Sequence, residues 1–251
     1  VNDAVEWECR GPVGWIRLNR PAQRNAINQA VRYGLAQAFA ELEAIDELGV
    51  IVLTGAGPMF CAGVDLKEHR PKRGLLDLGE PVSAPVDRCT RPVIAALNGP
   101  AVGGGFELAL AADLRVAARS AWFALTELRI GSLPGSGGTQ RLFDALPSAV
   151  AWRMLLSGKR MPSEDAERFG LVSDVFDDET FESDVEELVS TLAQAAPLSM
   201  RAAKLARTAA ESTGAGLAME RVLWRVLADT EDRDEGRAAF REKRPPRFQG
   251  R

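Results

Sequence analysis

What is scarce in this chain narrows its chemistry first. In 251 residues there are one histidine, three cysteines and one tyrosine, and aromatic residues make up only 6%. Cys9, Cys61 and Cys89 lie far apart, form no CxxC pair and leave an odd count, so they indicate neither a disulfide framework nor a zinc site. A reducing, cytoplasmic setting fits them best. No group of His, Cys and carboxylates has metal-ligand spacing, so no metal is expected. No apolar run reaches membrane-spanning length, and VNDAVEWECR at the start lacks the form of a signal peptide. Basic excess is also missing. The net charge of −4 gives no general attraction to nucleic acid or to an anionic membrane.

Several familiar catalytic patterns are absent too. The lone histidine, His69, stands beside Arg70 and Pro71 in an irregular stretch and reads as solvated. There is no GxSxG, so a nucleophile elbow has no support. Gly55, Gly57 and Pro58 follow a strand-like run, but the GxGxxG spacing of a dinucleotide site fails. The GSGGT at 135–139 lacks the lysine of a phosphate-binding loop.

What is present is a hydrophobic fraction of 46%, enough for one large domain. Val13–Leu18, Val50–Thr54, Val93–Leu97 and, more weakly, Leu114–Ala118 read as strands. Between the first two, Val31, Leu35, Ala38, Phe39, Leu42 and Ile45 mark one apolar face of a helix over 30–45. Fully apolar strands alternating with helices predict an α/β fold with parallel pairing. From about Ser148 onward, helical patterns run almost throughout, at 148–157, 163–169, 179–195, 199–212, 214–228 and 231–242. The least regular stretch is 69–92, rich in proline and charge, which reads as a mobile loop.

Two questions arise at Gly103 to Asp113, GGGFELALAAD: why three successive glycines, and why a charge inside an apolar segment? Glycines at a helix start let a ligand approach the backbone, whose first N–H groups lack intrahelical partners. Such amides hold an oxygen that becomes negative during a reaction. A glutamate in a first helical turn is also favoured by the helix dipole without any catalysis. In Phe60 to Lys67, FCAGVDLK, the small residues Ala62 and Gly63 precede an expected helix start and could supply a second N–H, or simply a turn capped by Asp65. Glu127 stands just ahead of a second glycine-rich turn in LTELRIGSLPGSGGTQRL, 125–142. Glu107 and Glu127 together form a candidate pair of general acid and base, although sequence alone does not place them side by side.

At these residues the chain resembles the enoyl-CoA hydratase/isomerase, or crotonase, family. The resemblance covers IRLNRPAQRNAIN at 16–28, FCAGVDLKE at 60–68, AALNGPAVGGGFELALAADLRVA at 95–117 and ELRIGSLPGSGGTQRL at 127–142. It continues in SGKRMPSEDAERFGLVSDVF at 157–176 and EDRDEGRAAFREKRPPRF at 231–248. The resemblance implies a crotonase-like α/β spiral of ββα units over 1–195 that carries the acyl-CoA site. It implies a helical C-terminal part over 196–251 for trimer contacts, with trimers pairing into hexamers. It implies an acyl-CoA thioester whose carbonyl sits between the backbone N–H groups of Val64 and Gly104. The segment Val64, Asp65, Leu66 and Lys67 would run beside the CoA adenine, and Lys243 of a neighbouring subunit is a candidate for the CoA phosphates.

On the same basis Glu107 and Glu127 would hold a water between them. Glu107 would take its proton as the oxygen attacks Cβ, and Glu127 would protonate Cα. No cofactor beyond the CoA of the substrate is implied. Two positions depart from the family pattern: Leu125 and Thr126 replace a frequent Gln-Pro pair, and Val64 replaces a common alanine. The alternatives are a 3-enoyl-CoA double-bond isomerase or another acyl-CoA enzyme of the crotonase family and, in another class, a non-catalytic acyl-CoA binder. The basic pieces RPKR at 70–73 and REKRPPR at 241–247 read as solvated charge or a CoA phosphate contact, without support for RNA binding.

Overall fold

The computed structural model describes residues 3–68, 79–208, 222, 226–227 and 229–251. The chain begins with an antiparallel hairpin, β1 (Val5–Arg10) and β2 (Val13–Leu18), turned at Gly11. Helix α1 (Gln29–Glu43) follows, started by Asn28, whose side chain accepts from Val31 N at 3.0 Å. Parallel strands β3 (Val50–Gly55), β4 (Val93–Leu97), β6 (Leu114–Ala118) and β9 (Asp174–Phe176) then extend one sheet in the order β1-β2-β3-β4-β6-β9. A second sheet holds β5 (Ala101–Val102), β7 (Trp122–Ala124) and β8 (Met161–Pro162), and Cys61 extends it by a bridge to Ala101. β4 is thus followed by the short β5 and β6 by the short β7, and β5 leads straight into α3 (Gly104–Leu110). This stepwise advance is the spiral expected from the sequence.

Both faces of the large sheet are covered. Ile51, Leu53, Ala95 and Leu97 point to the side packed by α1 and α3. Val50, Val52, Ile94, Ala96 and Val116 point to the other, where α7 (Phe181–Leu192) buries Phe181, Val185 and Val189. Full burial of such side chains stabilises by about 1.5–3 kcal/mol each. The α1 face is the expected one through Leu42, but Ile45 lies beyond the helix end and is 36% exposed.

The region after Ser148 is not purely helical. Helices α4 (Gly138–Ala145), α5 (Ser148–Ser157) and α6 (Ser163–Arg168) are followed by β9, which completes the large sheet, and β8 lies between α5 and α6. Helices α7, α8 (Pro197–Thr208) and α9 (Glu231–Glu242) follow. Most of the expected helix at 214–228, His69 and the piece 70–73 lie outside the described residues. Within 79–92 the expected mobile loop is instead packed: Val82, Val86, Cys89 and Arg91 are buried around α2 (Ala84–Arg88). Arg91 explains the packing, because its guanidinium donates to the carbonyls of Glu43, Ile45 and Leu48 at the end of α1. The chain terminus folds back as well. Buried Asp232 accepts from Gln249 N and Gly250 N, tying the tail to the start of α9.

Candidate active site

The three glycines answer three separate constraints. Gly103 adopts φ 53°, which strains an L side chain, and a Cβ there would stand 3.0 Å from Glu127 Oε1. A Cβ on Gly104 would stand 3.3 Å from Val64 Cγ2 and 3.8 Å from Val64 N. On Gly105 it would collide with Cys61 at 2.6 Å. The turn is therefore pressed against the 61–64 loop on one side and against Glu127 on the other.

That loop is held by backbone pairing. Cys61 N donates to Pro100 O, Val102 N to Cys61 O, Ile27 N to Gly63 O and Asp65 N to Ile27 O. Bonds on either side of Val64 leave its own N–H without an acceptor among the described residues. The Gly104 N–H, at the first position of α3, has none either. A Cβ on Gly63 would stand 3.4 Å from Gly104 N, so the two peptides face each other closely. Two unpaired amides at one spot match the donor pair expected for an oxyanion. The expected helix start after Gly63 does not form through Glu68, where turns run instead; Asp65 Oδ1 accepts from Lys67 N. Asp65 Oδ2 accepts from Arg20 at 3.1 Å, and that bond, ahead of the one from Lys67 N, holds the carboxyl below its ordinary range.

Glu107 lies in the first turn of α3, every residue of which is buried. Its carboxylate is not bare. Ser136 N and Gly138 N donate to Oε1 at 2.6 and 2.9 Å. The glycine-rich turn that follows Glu127 in sequence thus cradles Glu107. These two amides were not legible as partners, because 29 or more residues separate them from Glu107. A Cβ on Gly138 would press to 3.1 Å from Glu107 Cγ and Oε1, which accounts for the glycine.

Glu127 opens a single 3₁₀ turn, Glu127–Ile130, after fully buried Leu125. Its Oε2 is buried with no hydrogen-bond partner among the described residues. Burial pushes this carboxyl above its ordinary range, and the charge of Glu107 raises it further. The structure therefore brings Glu107, Glu127, Val64 and Gly104 around one glycine-rich turn. Leu66 is 74% exposed and Lys67 is exposed at the outer side of the loop. Lys243 is exposed with φ 55° just past α9, and no contact among the described residues joins it to this turn. In the neighbouring basic piece, Arg244 pairs with Glu235 and Glu242.

Wide hollows lie elsewhere among the described residues. One of about 570 Å³ opens between the strand ends and α7, lined by Trp15, Arg17, Asn98, Ser120 and Phe181, and it holds neither glutamate. Among the described residues no group of three His, Cys or carboxylate side chains is placed to hold a metal. No helix among them is long and apolar enough to cross a membrane.

The family model described as enoyl-CoA hydratase/isomerase matches residues 8–251. A 2,3-dehydroadipyl-CoA hydratase of Escherichia coli is 43% identical over 244 residues, 94% of each chain. An (E)-benzylidenesuccinyl-CoA hydratase of Thauera aromatica is 41% identical over 254 residues, 98% of this chain and 99% of the relative. The crystal structure of an enoyl-CoA hydratase from Bacillus anthracis superposes with a TM-score of 0.90 at 34% identity, covering 99% of this chain and 100% of that one.

Proposed function

The chain belongs to the enoyl-CoA hydratase/isomerase family, and on that premise we propose that it hydrates a 2-enoyl-CoA through Glu107, Glu127, Val64 and Gly104. It is an enzyme of the enoyl-CoA hydratase kind, and its relatives carry that activity in their names. The observation that supports the residue roles is the meeting of both carboxylates at the turn that presents the Gly104 amide.

In this reading the thioester oxygen accepts from Val64 N–H and Gly104 N–H. A water between the carboxylates loses a proton to Glu107 as its oxygen bonds to Cβ. Electrons of the double bond move to the thioester oxygen as an enolate, which the two amides stabilise. Glu127 then delivers a proton to Cα, the carbonyl re-forms, and water has been added across the bond. The amides from Ser136 and Gly138 fix Oε1 of Glu107, so Oε2 is the oxygen that takes the proton. The raised carboxyl of Glu127 suits a proton donor. Hydration involves proton transfer and an enolate, so the reading requires no cofactor beyond the CoA of the substrate.

Three further parts belong to the same proposal. Asp65, Leu66 and Lys67 flank the CoA, with Lys243 reaching the phosphates of a neighbouring protomer. Residues 1–195 form the spiral core, and 196–251 form a part that joins protomers into a trimer or a pair of trimers. The setting is cytoplasmic, which three free thiols suit.

The test follows the loss of enoyl-thioester absorbance with crotonyl-CoA for the parent protein, Glu107→Gln and Glu127→Gln. Each substitution is expected to lower kcat by about 100-fold or more. Near-parental turnover in either variant would remove that glutamate from the mechanism.

A further inference from the structure

The motif at 16–28 has no part in the chemistry just described, yet it ends beside the site. Asn25 is fully buried and adopts φ 55°, a left-handed conformation uncommon outside glycine. Every polar group of its side chain is used. Oδ1 accepts from Arg20 N at 2.9 Å, and Nδ2 donates to Ala56 O and Met59 O at 2.9 and 2.7 Å. Asn25 thereby clamps the chain that leaves β3 just before it enters the 61–64 loop.

Its backbone carbonyl continues the connection. The thiol of Cys61 donates to Asn25 O at 3.1 Å, and the same sulfur accepts from Gly63 N at 3.4 Å. Burial pushes the Cys61 thiol up to about 12, so it remains an S–H donor at neutral pH. The next peptide is fixed from the other side, because Gly63 O accepts from Ile27 N at 2.8 Å. With Gly63 N and Gly63 O both held, the direction of the Val64 N–H is set. Cys61 also meets the second donor's helix, since its side chain fills the space that a Cβ on Gly105 would occupy.

We propose that Asn25 and Cys61 are positioning residues for hydration, which together fix the Val64 amide relative to the Gly104 amide. The proposal rests on the reading of those two amides as the oxyanion donors. Neither residue touches the substrate. Their effect is geometric, on where one donor points and how far it stands from the other.

The test uses Cys61→Ala and Cys61→Ser, with Asn25→Asp as a second site. Alanine removes both sulfur bonds, whereas serine keeps a donor and an acceptor. Asn25→Asp keeps the shape but removes the two Nδ2 donors. Two quantities are read on the intact protein: steady-state hydration of crotonyl-CoA, and the infrared carbonyl band of bound crotonyl-CoA labelled with ¹³C at the thioester carbon. In Cys61→Ala, kcat is expected to fall about tenfold, less than the loss of a whole donor would cause. KM should stay within about twofold, because the interaction strengthens only as the oxyanion forms. The bound carbonyl band should move back toward its frequency in free solution. Serine should recover most of both effects, and Asn25→Asp should reproduce the alanine result. A band unchanged in Cys61→Ala and Asn25→Asp would overturn the proposal, even where stability falls. A parental band equal to that of the free thioester would overturn the donor pair itself, and the positioning roles with it.

Discussion

The bare Cα of Gly103 leaves room for Glu127: a Cβ on the glycine would stand 3.0 Å from Oε1 and 3.5 Å from Cδ of the glutamate. Gly103→Ala therefore meets two obstacles, a positive φ and the carboxylate. The substitution is expected to cost about 1–3 kcal/mol of stability from backbone strain alone. Displacing the Glu127 carboxylate should also lower kcat by about 100-fold. Thermal unfolding and turnover, measured on the same preparation, check both. Unchanged turnover would show that the contact does not position Glu127.

Glu127→Gln should trade activity for stability. Burial and then the Glu107 charge raise the carboxyl in the folded state, so the folded protein binds more protons than the unfolded one between the two pKa values. Stability then falls as pH rises through that window, because a charge is left in a partly buried place. The variant carries no such charge. Its Tm should exceed that of the parent at pH 8, with the gain shrinking as pH falls toward the ordinary carboxylate range. In the parent, kcat should decline as pH rises through the raised pKa, since Glu127 is proposed to act protonated. A Tm difference independent of pH would count against this.

Gly138→Ala probes the cradle of the other glutamate. The added methyl would meet Glu107 Cγ and Oε1 at 3.1 Å and Pro134 Cβ at 2.9 Å. The carboxylate must shift, and kcat should drop about tenfold or more while binding of a saturated acyl-CoA is retained. Equal losses in kcat and in acyl-CoA affinity would point to general collapse of the turn instead.

The Arg20–Asp65 pair should appear in binding more than in turnover. Arg20 donates to Ala26 O at 2.5 Å and to Asp65 Oδ2 at 3.1 Å, closing the loop proposed to flank CoA. Arg20→Met is expected to raise KM about threefold to tenfold with a smaller change in kcat. Asp65 is held below its ordinary range by Arg20 first and Lys67 N second. Its stabilising contribution is present above the unfolded carboxylate pKa and is lost as pH falls through the lower folded one. The parent's acid-side loss of acyl-CoA affinity should flatten in Arg20→Met; identical pH profiles would contradict the assignment.

Much of this architecture was legible in the sequence where periodicity is long. The apolar face of α1, the runs that became β3 and β4, and helices α5 and α9 all stand where the pattern puts them. Strands β5 and β8 have two residues each and β7 and β9 three, too short for any period to show. They exist because neighbouring strands supply their hydrogen bonds. The site divides in the same way. Glu107, Glu127, Val64 and Gly104 stand out by residue type and by resemblance to a family. Ser136, Gly138, Asn25 and Cys61 do not, because their roles arise from tertiary contacts. The packing of 79–92 was hidden likewise, since Arg91 reads as a surface charge until the end of α1 is placed around it.

Helix α3 has no exposed residue, and the ring of Phe106, beside Glu107 in sequence, stacks on Phe123 with centroids 5.5 Å apart. The carboxylate proposed as proton acceptor is therefore carried by a helix whose seven residues are all buried. Any change that loosens that packing also shifts the Glu107 carboxylate, so under the proposed mechanism stability and turnover would fall together along this helix.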